Sequence, residues 1–137
     1  MMNDLQNTPE YIRRGTKRPV FFPFPLFLME LPLSMTARVL YAIALNRAML
    51  SQHNGWTDEQ GRVYILFPES ELCAVLHKGQ TTVKTALRDL TKVGLIEKAP
   101  QPHGKANRLY VKVIPDAHAG KRKRPQRDYS YEGEDSL

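Results

Sequence analysis

Three observations predict an α+β fold of three helices and a small antiparallel β-sheet, arranged as a winged helix-turn-helix with a basic wing. An apolar stripe at helical spacing (Val83, Ala86, Leu87, Leu90, Val93) follows a short helix across the tight turn His77-Lys78-Gly79. Two short apolar segments, Leu95 to Lys98 and Arg108 to Ile114, then flank a loop shaped by Pro100, Pro102 and Gly104. Finally, the formal net charge of +6 on 137 residues is confined to one stretch. Between His77 and Ile114, Lys78, Lys84, Arg88, Lys92, Lys98, Lys105, Arg108 and Lys112 face only Asp89 and Glu97, while the segments on either side balance to zero.

The length suits one domain with tails, and 42% apolar and 25% charged residues describe an ordinary globular chain. We divide it into an N-terminal arm over residues 1–20, a winged-helix domain over 21–114 and a charged, solvated tail over 115–137. A single cysteine, Cys73, excludes an internal disulfide framework and suits the cytoplasm. The uncharged run Pro19 to Met29 is too short for a spanning helix and holds three prolines, and no small-residue cleavage site follows it. A membrane span is therefore rejected, and a signal peptide less firmly.

Along the chain, Phe21, Phe22, Phe24, Phe27 and Leu28, broken by Pro23 and Pro25, predict an extended edge segment lying over the core. Ser34 caps a helix running from Met35 to about Ser51. That helix is apolar almost all the way round, so it must be covered on more than one side, by the Phe-rich segment, by a second copy of the chain, or by both. Asn54-Gly55 and Gln60-Gly61 bracket a turn-rich stretch, and Arg62 to Phe67 reads as a strand with Val63, Ile65 and Phe67 on one face. Pro68 at the first helical position, with Glu69 and Glu71 behind it, opens the short helix, whose buried face is Leu72, Val75 and Leu76. The next helix spans Gln80 to Val93 and stops at Gly94.

The chemistry follows from what the apolar stripe leaves over. Thr81, Thr82, Lys84, Thr85, Arg88 and Lys92 share the exposed face of the longer helix, mixing hydroxyls with cations. Confined basic charge suits a polyanion, because neutralising phosphates releases condensed counterions. Gln80, Thr81, Thr85 and Arg88 are candidates for contact with base edges in a major groove, with Thr82 beside them, and Lys78 and Lys84 for contact with phosphate. The loop residues His103, Lys105 and Asn107, with Arg108 just beyond, form a basic wing suited to a minor groove or a sugar-phosphate edge. Catalysis finds little support. The four histidines (His53, His77, His103, His118) lack metal-ligand spacing, no glycine loop matches a phosphate-binding motif, and Cys73 falls near a buried stripe. Neither a cofactor, a metal nor an enzymatic activity is expected.

These residues resemble the N-terminal domain of plasmid replication initiator RepA proteins. The resemblance covers Phe21 to about Val113. It is carried by Ser34 to Ser51, by the distinctive run Asn54-Gly55-Trp56-Thr57-Asp58-Glu59-Gln60-Gly61-Arg62-Val63-Tyr64-Ile65, and by Gly94-Leu95-Ile96-Glu97 with Gly104-Lys105 and Tyr110-Val111-Lys112. It implies a dimeric winged-helix module that recognises repeated duplex sites at a plasmid or mobile-element origin, in a family that works with host replication proteins and commonly carries a second, C-terminal domain. Gly79 stands where the family often has Ser, and Ala106 where Pro is usual. Two other readings use the same residues: a winged-helix transcription regulator, and a protein-interaction module whose working surface is the Phe-rich segment and the first helix.

Overall fold

A computed structural model describes residues 8–101 and 104–115. The expected tail beyond 115, His103 in the wing and the first seven residues of the arm lie outside the described residues. The order is a short 3-10 helix (Leu26–Glu30), α1 (Met35–Asn54), β1 (Ile65–Leu66), α2 (Glu69–Leu76), α3 (Gln80–Lys92), β2 (Ile96–Ala99) and β3 (Arg108–Val111). The sheet runs β1-β3-β2, antiparallel throughout, so the last strand lies in the middle and ties β1 to the hairpin.

Local chemistry sets these boundaries. The Ser34 hydroxyl accepts from the Ala37 N–H at 3.1 Å, capping α1 as its sequence implies. All three helices close through a left-handed residue, Gly55, His77 or Gly94, and paired reverse bonds. In α3 these are Leu95 N–H to the Leu90 carbonyl (3.0 Å) and Gly94 N–H to that of Thr91 (3.1 Å). His77 adopts φ 55°, a conformation that costs a side-chain-bearing residue about 1–2 kcal/mol, and thereby makes the abrupt turn that hands the chain from α2 to α3.

The core is one cluster in which Leu40, Tyr41 and Ala44 of α1 meet Leu72 of α2, Val83, Leu87 and Leu90 of α3, and Ile65, Ile96 and Leu109 of the sheet. A single chain thus covers α1 on several sides, leaving Met35, Met49 and Leu50 about half exposed. Four sequence expectations are corrected. The Phe-rich segment is extended only to Pro25. From Leu26 it winds into the 3-10 helix, where Leu28 is buried and Phe27 sets its ring edge-on to Tyr41, while Phe21, Phe22 and Phe24 remain exposed. The ladder of β1 is only two residues long, because after a lone Thr57–Val63 bridge the chain pairs with β3 just at Ile65 and Leu66. Pro68 precedes α2 as its cap rather than opening it. Val75 is 45% exposed, since α2 buries only the edge that carries Leu72.

Tyr41 links the helical layer to the sheet. Its hydroxyl donates to the Lys112 carbonyl at 2.6 Å, and burial pushes the phenol up to about 12 from its ordinary 10.0. Below pH 10 the folded and unfolded chains both hold this proton. Above it the unfolded chain releases it first, so stability falls as pH rises toward 12. The urea midpoint of the wild type should therefore drop more steeply between pH 10 and 11.5 than that of Tyr41→Phe. Parallel curves would show that Tyr41 does not link folding to alkaline pH.

Candidate nucleic-acid interface

On α3, the residues Thr81, Lys84, Thr85, Arg88 and Lys92 recur at spacings of 3, 4, 7 and 11, which places them along one side of a helix. All five are exposed, as are Gln80 and Thr82, while Val83, Ala86, Leu87 and Leu90 fill the core behind them. The Arg88 Nη2 reaches the Thr85 hydroxyl at 3.4 Å, a weak contact that leaves the rest of the guanidinium free to donate.

Strand alternation supplies the opposite wall. Lys98 pairs with Leu109, a core residue, so its side chain rises on the face of the sheet that looks toward α3. A cavity of about 550 Å³ results, lined by Lys84, Arg88, Thr91 and Lys92 of α3, Lys98 of β2 and Glu69 at the start of α2. A second, of about 280 Å³, shares Glu69 and Lys98 with it and runs beneath the wing to Ala106 and Asn107. Lys105 is exposed on the same loop. Lys98 escaped the sequence reading because its face depends on register, and the one available signal was its membership of the basic stretch.

Among the described residues, none of the cations in this groove is neutralised by an ion pair. The ion pairs among the described residues, Arg47–Glu71 (3.7 Å), Arg62–Asp58 (2.9 Å) and Lys112–Glu97 (3.1 Å), all lie outside the groove. Four bases around one cavity, set against the single acid Glu69, form a site of positive potential suited to phosphate.

Two residues expected to touch DNA lie apart from it. Lys78 lines a separate cavity with Met35, Thr36, Val39 and Leu76, because the His77 turn carries it toward the start of α1. Arg108, expected just beyond the wing loop, pairs with Ala99 in the ladder, so its side chain rises on the face opposite Leu109. There its guanidinium stacks over Tyr64 with Cζ 4.1 Å from the ring centroid, and its buried Nε has no hydrogen-bond partner among the described residues. The expectation grouped it with the wing because it follows the loop directly, and the pleat turns its side chain to the other face.

That opposite face is a braced layer. The Tyr64 and Tyr110 rings meet edge to face at 6.3 Å, Arg62 lies over Tyr110, and the Tyr110 hydroxyl donates to Asp58 Oδ2 at 3.0 Å. Burial alone would push the Asp58 carboxyl up. The Arg62 and Gln60 N–H groups, the Arg62 guanidinium and the Tyr110 hydroxyl outweigh that effect and hold it well below the usual carboxylate range. The distinctive run Asn54 to Ile65 thus packs against β3 from behind, and β3 in turn pairs with the strand that carries Lys98.

The family model for the N-terminus of replication initiator protein A (RepA) matches residues 20–122. A "41 kDa protein" of Lactobacillus helveticus is 30% identical over 67% of this chain, which spans 29% of that relative's length. Among solved structures, one described as the N-terminal domain of a DNA-binding protein is similar over 95% of this chain and 98% of its own (TM-score 0.63, 21% identity). One described as a Rep-DNA complex is similar over 86% and 89% (TM-score 0.61, 20% identity). An "MDR initiator" is similar over 81% and 88% (TM-score 0.59, 24% identity). At these identities the likeness concerns the fold: three helices and a three-stranded antiparallel sheet of winged-helix type.

Proposed function

Because the chain belongs to the family of replication initiator RepA N-termini, we propose that it binds duplex DNA sequence-specifically, at repeats of a plasmid or mobile-element origin, as a module without enzymatic activity. One observation carries this reading: the groove between α3 and the hairpin gathers Lys84, Arg88, Lys92 and Lys98 without a neutralising partner among the described residues. Thr81, Thr85 and Arg88 offer the short and forked donors that read base edges, and Lys105 extends the charge onto the wing. The descriptions of two structural neighbours, a DNA-binding protein and a Rep-DNA complex, agree with it.

In this reading the protein acts in the cytoplasm as a dimer, with two recognition helices reaching grooves about one helical turn, ~34 Å, apart, and it meets host replication proteins at the origin. No helix among the described residues is long and apolar enough to cross a membrane. Half-exposed Met49 and Leu50 on α1 are apolar surface available to a second copy.

The test is affinity for origin repeats against random duplex over a range of salt, with sedimentation in parallel. The repeats should be preferred by orders of magnitude, and a specificity ratio near one would defeat the proposal. Arg88→Ala should cost roughly 1–3 kcal/mol and relax base choice at one position, whereas Lys84→Ala should weaken all sequences alike. Equal effects of the two variants on every sequence would remove Arg88 from base reading.

A further inference from the structure

Among four cations, the groove holds one acid. Glu69, the first residue of α2, borders both cavities, is half-buried and forms no ion pair within 4.0 Å among the described residues. A carboxylate beside Lys84, Arg88, Lys92 and Lys98 weakens the attraction of the groove for any phosphate. A site evolved only for tight, indiscriminate binding gains nothing from it. Nor is it needed to start the helix, because Glu71 stands in the same first turn and is itself paired with Arg47.

We propose that Glu69 is a specificity-determining residue, an inference that rests on the DNA-binding reading above. Its free carboxylate accepts a hydrogen bond from the N4 amino group of a cytosine presented in the major groove. It opposes the acceptor edges of guanine and thymine at the same position. The same charge holds phosphate away from that part of the groove, so a duplex placed out of register loses affinity. Specificity then arises from a repulsive element set beside attractive ones, with Pro68 (φ -61°) fixing the backbone from which the side chain projects.

The experiment uses the full chain, wild type and Glu69→Gln, in parallel selections from a pool of random duplexes, with affinity for an unselected duplex measured at two salt concentrations. The substitution is isosteric and leaves Glu71 in place, and far-UV circular dichroism with a urea titration verifies that both proteins fold alike. Wild type should enrich a cytosine at one position with a preference of at least about tenfold over guanine or thymine. Glu69→Gln should lose that preference alone, while binding the unselected duplex several-fold more tightly. Identical enriched sequences from both proteins would overturn the inference and leave DNA recognition standing, since Glu69 would then be only a helix-start acid. A wild type that binds duplex without enrichment, or ignores it at low salt, would overturn the proposed function and this inference with it.

Discussion

Replacing Lys84, Lys92 and Lys98 together with alanine should flatten the salt dependence of duplex binding more than any other surface change. Each lysine set against a phosphate releases condensed counterion. The log-log slope should therefore become shallower by about 2.7, at about 0.9 for each phosphate no longer neutralised, and affinity at low salt should fall for origin and random duplex alike. All three side chains are exposed and lack an ion-pair partner among the described residues, so folding stability should change little. Lys112→Ala is the matched control. That lysine side chain is also largely exposed, but it is paired with Glu97 at 3.1 Å outside the groove, and its removal should leave the slope unaltered. A triple variant whose slope matches wild type would mean that the groove does not follow the phosphate backbone. Lys105 and the rest of the wing would then have to supply the electrostatic attraction.

Much of the architecture was legible because its signals are local. The stripe Val83, Ala86, Leu87 and Leu90 identifies α3 by period, Gly94 ends it by conformation, and Ser34 opens α1 by capping; each depends on residues within one or two turns. The groove was only half legible for the complementary reason. The helix wall could be read from spacing, but the strand wall depends on which residue of β3 faces which residue of β2, a long-range fact. Lys98 opposite Leu109 and Arg108 opposite Ala99 differ by one step of the pleat, and that step places one in the groove and the other against Tyr64. Val75 failed for a related reason. Spacing from Leu72 says that two residues share a side of a helix, but an eight-residue helix lying on the core by one edge leaves part of that side in water. The first helix shows a different limit. Uniform apolarity announces that cover is needed without naming it, and the cover is mostly the chain's own, from the 3-10 helix, α2, α3 and the sheet.

Leu28→Ala should give the largest loss of stability among single changes outside the main elements, about 2–5 kcal/mol by urea denaturation. The 3-10 helix has no sheet partners and spans only five residues, so its place depends on side chains. Leu28 is fully buried in the core cluster, Phe27 meets Tyr41 at 5.8 Å, and at the segment's end the Leu31 carbonyl accepts from Arg38 Nη2 at 3.1 Å. Truncating Leu28 leaves a cavity against α1, which is itself the centre of the domain. The deficit should therefore appear as a lower midpoint of one cooperative transition with an unchanged slope, the signature of lost stability rather than of a partly unfolded native state. Phe21→Ala, at a position 64% exposed, should change the midpoint by no more than about 0.5 kcal/mol, although it deletes a larger side chain. A Leu28 variant that loses under about 1 kcal/mol would detach the whole segment from the cooperative unit. The folded domain would then begin at Leu33, and the aromatic residues before it would be surface available to a partner rather than part of the cover of α1.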